Sequence, residues 1–151
     1  MNKGELQNFV RESNRIEGIL RDPSTAEIEA TELFLFNRQP GVLDIEDLVT
    51  TYQPGAVLRL TPGLNVRVGN HIAPPGGPQI GADLAALLET IGGSDPWATH
   101  VAYETLHPFT DGNGRSGRAI WAWQMVRRQR GLSLGFLHQF YYQTLERARI
   151  D

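Results

Sequence analysis

The chain of 151 residues has no cysteine. Disulfides and thiolate metal sites are thereby excluded, and the redox compartment is left open, with a lean toward a reducing cytosol. Long apolar runs are also missing, so nothing approaches the length of a membrane-spanning helix. The first residues, Met1-Asn2-Lys3-Gly4-Glu5, lack the apolar core of a secretion signal. Excess positive charge is absent too: the net charge is −3, which argues against a surface built to hold nucleic acid. These absences together predict a cytoplasmic protein with neither a nucleic-acid nor a membrane partner.

What is present suits one compact domain, 1–151, with no internal repeat and no dividing linker. Residues 5–20 read as an amphipathic helix, with Leu6, Phe9, Val10, Ser13, Ile16 and Leu20 at helical spacing and Gly18 near its end. Ser24 and Glu27 form a capping box for a second helix to about Asn37, whose apolar side includes Ala26, Ala30, Leu33 and Phe34. A third helix runs from about Asp44 to Tyr52. The β-prone runs 57–60 and 65–68, separated by Thr61-Pro62-Gly63-Leu64, read as a small hairpin, and a Pro- and Gly-rich loop follows to residue 78. Helices resume at Ile80–Ile91, with Leu84, Leu87, Leu88 and Ile91 on one face, and at Asp95-Pro96, an N-cap followed by proline at the first helical position. The segment from about Arg115 to Arg130 is apolar on most sides, so it should be central and buried. A last helix is expected over Gly135–Arg149. The class is all-α, mainly helical, with a small β-hairpin.

The run His107-Pro108-Phe109-Thr110-Asp111-Gly112-Asn113-Gly114-Arg115-Ser116-Gly117-Arg118 is where chemistry concentrates. Gly112 and Gly114 permit backbone geometries that turn several N–H groups toward one anion, and the following helix adds the positive end of its dipole. Arg115 and Arg118 are neighbours on the first turn of that helix and can offer paired donors to phosphate oxygens. Asp111 is the only carboxylate of the loop and, beside polyphosphate, suits Mg²⁺. Asn113 can donate to a phosphate or orient the loop. His107 is the candidate base, because an imidazole titrates near neutral pH. Phe109 should anchor the loop in the core. Each residue singly fits an ordinary helix-to-helix loop, but the constellation does not. The later arginines, Arg127, Arg128, Arg130, Arg147 and Arg149, read as solvated helix faces.

This run resembles the signature of Fic-domain proteins, H-x-F-x-[D/E]-G-N-G-R-x-x-R, at every defined position. The resemblance extends to the flanking helices and to a hairpin ahead of a Pro-rich loop. It implies transfer of AMP from ATP to a Ser, Thr or Tyr hydroxyl of a target protein. It implies His107 as general base, Asp111 as Mg²⁺ ligand, Gly112, Asn113 and Gly114 as anion hole, and Arg115 and Arg118 as phosphate-binding arginines. The segment 57–78 would supply a target-docking flap centred on Arg67, Val68, Gly69, Asn70, His71 and Ile72, which pairs with the target's backbone as an added strand. His71 itself reads as an exposed loop histidine.

Ser13-Asn14-Arg15-Ile16-Glu17-Gly18 resembles the family's inhibitory pattern, [S/T]-x-x-x-E-[G/N]. Here it precedes the signature in the same chain. Ser13 and Glu17 are four apart and share one helix face. The resemblance implies that Glu17 pairs with Arg118, occupies the γ-phosphate position and prevents a productive ATP pose. The ordinary reading of Glu17 is a surface acid with Arg21 four residues on. Relatives that move UMP, phosphocholine or phosphate, or that remove AMP, define alternative reactions. A nucleotide-sensing or toxin–antitoxin module with dispensable catalysis is a third reading. The expected ligands are ATP as substrate and Mg²⁺, and the expected partner is a target protein, with self-association or auto-modification open.

Overall fold

The computed structural model describes residues 1–132 and 141–150. Among them are seven α-helices: α1 Lys3–Ile16, α2 Thr25–Phe36, α3 Val42–Tyr52, α4 Pro78–Thr90, α5 Pro96–Leu106, α6 Asn113–Arg127 and α7 Tyr141–Ile150. One antiparallel hairpin lies between α3 and α4, formed by β1 Arg67–Val68 and β2 His71–Ile72. The mainly helical class with a small hairpin is therefore what the chain adopts.

Local chemistry sets the helix ends. Asn2 caps α1 by accepting from the Glu5 N–H at 2.8 Å. Ser24 and Glu27 form the reciprocal capping box of α2. Asp95 caps α5 ahead of Pro96. Helix α1 stops at Ile16, short of the expected residue 20, because Glu17 caps its C-terminus and Gly18 turns the chain at φ +78°. Leu20 consequently leaves the helix and lies exposed.

Helix α2 also departs from its pattern. Its buried face carries Glu27, Thr31, Phe34 and Leu35, while Ala26, Leu33 and Phe36 point outward. The buried Glu27 is paid for by partners: Arg21 at 2.7 Å, Asn14 at 3.2 Å and the Ser24 backbone N–H at 2.8 Å. The Thr31 hydroxyl bonds both the Glu27 carbonyl and the Tyr52 hydroxyl.

The hairpin is not the one expected. Its strands are 67–68 and 71–72, turned at Gly69-Asn70, and the 57–60 run pairs elsewhere. Leu58 forms an isolated antiparallel bridge with Phe109, and the Val57 and Arg59 carbonyl and amide groups bond Thr110 and Pro108 at 2.9 Å each. The segment that reads as a hairpin strand thus serves as a backing for the His107–Asp111 loop.

Helix α6 lies at the centre, packed on α1, α2, α3 and α5. Ten of its residues are buried, including Ile120 and Trp123, as its all-round apolar pattern requires. The apolar core joins Leu6, Phe9, Ile45, Leu84, Tyr103 and Trp123 in one cluster. The expected helix over 135–149 is seen as Tyr141–Ile150; its start falls on residues outside those described. No helix among the described residues is long and apolar enough to cross a membrane.

Candidate active site

Helices α5 and α6 are joined by the loop that carries the motif, and a cleft of about 400 Å³ opens over it. His107, Asp111, Gly112, Gly114 and Arg115 line this cleft, together with Glu17 from the end of α1. Residues far apart in sequence therefore meet there.

His107 ends α5 in the left-handed region, at φ 49° and ψ 62°. That conformation is strained for a residue with a side chain and needs support. It gets support from Arg59, whose Nε donates to the His107 carbonyl at 2.7 Å and whose Nη2 donates to the Leu106 carbonyl at 2.9 Å. Arg59 also donates to the carbonyls of Leu64 and Pro74. Its guanidinium is wholly buried among backbone oxygens, with burial lowering its pKa. The β-prone pattern of 57–60 gives no hint of this role. Burial also pushes the His107 imidazole down to about 4, so it is neutral and able to accept a proton at pH 7. Its Nδ1 is buried without a hydrogen bond.

The loop is rigidly pinned. Phe109 is buried, as expected, and the Asn113 side chain clamps it by accepting from the Phe109 N–H at 2.9 Å and donating to the Phe109 carbonyl at 2.8 Å. Of the two roles open to Asn113, the geometry realises loop orientation. Gly112 takes φ +77°, and it leaves the N-terminus of α6 without a side-chain cap. The first-turn N–H groups have no acceptor within the helix, an arrangement suited to an anion. Asp111 is exposed at the cleft, with Oδ1 accepting from the Gly112 N–H at 2.7 Å.

The two arginines diverge. Arg115 reaches α3, donating to the Tyr52 carbonyl at 3.0 Å and to Gln53 at 3.1 Å, and it stacks over the Tyr52 ring. Arg118 turns to α1. Its Nε donates to Ser13 Oγ at 2.8 Å, and its Nη2 donates to the Ser13 carbonyl at 2.9 Å and to Glu17 Oε1 at 2.7 Å. Arg118 is 1% exposed, so α1 covers it. Gly114 makes room for this contact: a Cβ there would collide with Glu17 Oε1 and approach Arg118 to 3.1 Å. Gly18, with its positive φ, follows directly and ends the helix.

The expected flap residues are grouped on the hairpin. Arg67, Gly69, Asn70 and Ile72 are exposed, and Val68 lines the cleft. His71 is not a free loop histidine; its Nε2 is 2.8 Å from the Thr105 carbonyl, which ties β2 to α5.

The Fic/DOC family model matches residues 42–125, more than half of the chain. This chain belongs to the Fic/DOC family. A search of curated proteins found no match. The family match begins at α3, so α1 and Glu17 lie outside the matched Fic region, whereas Arg118, which Glu17 contacts, lies within it. The chain is a Fic-type protein, and members of the family commonly transfer AMP or other nucleotide-derived groups, which suggests a transferase.

Residues that the motif does not contain complete the surroundings. Arg59 fixes the backbone of His107. Glu104 lies 3.9 Å from His107 Nδ1, and Arg149 of α7 lines the cleft and donates to the Glu104 carbonyl. Glu104 could have been found by its position three residues before His107, on the same helix face. Arg149 read instead as a solvated helix residue.

Proposed function

We propose that the chain is a protein adenylyltransferase whose active site is held off by Glu17. The observation that carries this reading is the convergence of His107, Asp111, the uncapped start of α6 and Glu17 on one cleft. In the reaction, His107 takes the proton of an acceptor hydroxyl. The freed oxygen attacks the α-phosphorus of ATP, the bond to the α,β-bridging oxygen breaks, and pyrophosphate leaves. The α6 N-terminus and the Gly112–Gly114 backbone stabilise the phosphate charge. His107 suits its part because it is neutral at working pH and faces the cleft.

The donor set also fits Mg²⁺. Asp111 offers one exposed carboxylate, and no cluster of three His, Asp or Glu exists among the described residues. A single carboxylate with phosphate oxygens and water is the usual Mg²⁺ arrangement, unlike an all-protein cage. Bound there, the ion would neutralise phosphate charge.

Inhibition rests on the Glu17–Arg118 pair. Where Arg115 hydrogen-bonds α3 and the Gln53 that follows it, Arg118 is spent on Ser13 and Glu17. A bidentate-capable guanidinium engaged by a carboxylate offers little to a phosphate. The target would dock on the exposed hairpin Arg67–Ile72 as an added strand.

Incubating the Glu17→Gly protein with α-labelled and γ-labelled ATP and a native lysate tests the reading. Label from the α-phosphate alone on protein supports AMP transfer. Label from the γ-phosphate alone would show kinase chemistry instead. Adding His107→Ala to Glu17→Gly should abolish transfer while ATP still binds; retained transfer would remove His107 as base. A second reading, removal of AMP, is favoured by the Glu17 carboxylate at the cleft wall, where it could orient water. Its sign is loss of label from a modified target that depends on Glu17.

A further inference from the structure

Among the described residues, no arginine or lysine forms an ion pair with the side chain of the buried acid Glu104. Its residue exposure is 3%, and its Oε1 has no hydrogen bond. Oε1 rests against Gly117 of α6, where a Cβ would come within 2.5 Å of it. Its other oxygen, Oε2, faces His107 Nδ1 at 3.9 Å. The orphaned Nδ1 and the Oε2 that faces it across this gap point to a contact that tightens during the reaction. Catalytic hydrogen bonds are often long before substrate binds.

The same facts fix the ring's orientation. Nδ1 is inaccessible to solvent, so Nε2 is the nitrogen presented to the cleft. A base acting through Nε2 must carry its resting proton on Nδ1. We propose that Glu104 is a positioning residue for His107: its side chain holds the proton on Nδ1 and stabilises the imidazolium formed when Nε2 takes the acceptor's proton. The inference rests on His107 being the base of the proposed transfer. It assigns Glu104 the role of orienter in a base–orienter pair, a logic common to activated-nucleophile sites.

The electrostatics fit. Burial raises the Glu104 carboxyl to about 7; Arg118 and Arg149 oppose this, and Glu17 adds to it. Burial lowers His107, with the Glu104 backbone carbonyl opposing and Arg149, Arg59 and His71 adding to the fall. These groups come from α1, α6, α7, the hairpin and the 57–60 segment, and none but Glu104 offers a carboxylate to Nδ1 among the described contacts. Between about pH 4 and 7 the Glu104 carboxyl is protonated and the His107 ring is neutral. Above pH 7 Glu104 is charged and makes His107 a stronger base.

Glu104→Gln in the Glu17→Gly protein tests this. It keeps the shape and removes the charge. The expected kcat for AMP transfer falls about tenfold or more, with KM for ATP unchanged. The Glu17→Gly rate should rise with pH to a plateau near neutral pH, and adding Glu104→Gln should remove that limb. Nitrogen-15 NMR of the full chain reads the ring directly. The His107 signal, assigned by its loss in His107→Ala, should show the Nδ1–H form and a titration step that Glu104→Gln removes. Glu104→Asp should restore part of both. An unchanged rate profile and unchanged ring signals in Glu104→Gln would overturn the proposal. Absence of transfer in every variant would count against the adenylyltransferase reading alone, because the NMR result still decides the Glu104–His107 pair.

Discussion

At the scale of single residues, Arg59 best shows how the site is held. Its guanidinium satisfies four backbone carbonyls from three chain segments. Arg59→Met would leave those oxygens buried and unpaired, at roughly 1–3 kcal/mol for each that water cannot reach. A fall in stability of about 3 kcal/mol or more is expected in urea denaturation, and Arg59→Lys should recover only part. A loss under 1 kcal/mol would mean that the carbonyls find other partners. The chemistry of His107, Asp111 and the glycines was legible because those residues are contiguous and their types are diagnostic. Arg59 was not, because an arginine in an apolar run reads as one that points to solvent. Its partners lie up to 48 residues away, where no local pattern reaches.

The helices make the site by close approach, and glycines permit it. At Gly117, α6 passes so near α5 that a Cβ would meet Glu104, Tyr103 and His100 at 2.5, 2.9 and 3.2 Å. Gly117→Ala should therefore cost about 1–3 kcal/mol by overpacking, despite the better helix propensity of alanine. A thermal melt unchanged or raised would show that α5 yields without cost. Helix positions were well forecast from caps such as Ser24 with Glu27 and Asp95 with Pro96, since those signals are local. The hairpin was displaced because β-propensity in 57–60 is satisfied by pairing with the catalytic loop. The inward face of α2 is not legible in the sequence because Glu27 and Thr31 are buried by hydrogen bonds, which hydrophobic periodicity does not register.

Across the whole molecule, buried titratable groups shape the response to acid. Burial pushes Glu27 up, but Arg21 and Ser24 outweigh it and bring it to about 2 from 4.5. Its folded pKa is depressed, so its contribution is complete above 4.5 and is lost as pH falls toward 2. Burial lowers His100 from 6.5 to about 3, so the folded state resists protonation and stability falls with pH between those values. Glu104 has the opposite sign and offsets part of that slope between 4.5 and 7. Melting temperature should fall most steeply below pH 4.5, where Glu27 and His100 act together. Glu27→Gln should flatten that limb, and an equal slope in both proteins would show that Glu27 is not the titrating group. The central claim concerns a longer connection, from α1 across to α6. It is tested most directly by transfer of label from α-labelled ATP to protein, with wild type and Glu17→Gly compared in one native lysate. Labelling at least about tenfold stronger with Glu17→Gly, the scale of a lost charge-assisted pair, is the predicted result. Equal labelling by the two proteins would contradict the claim that Glu17 guards the site.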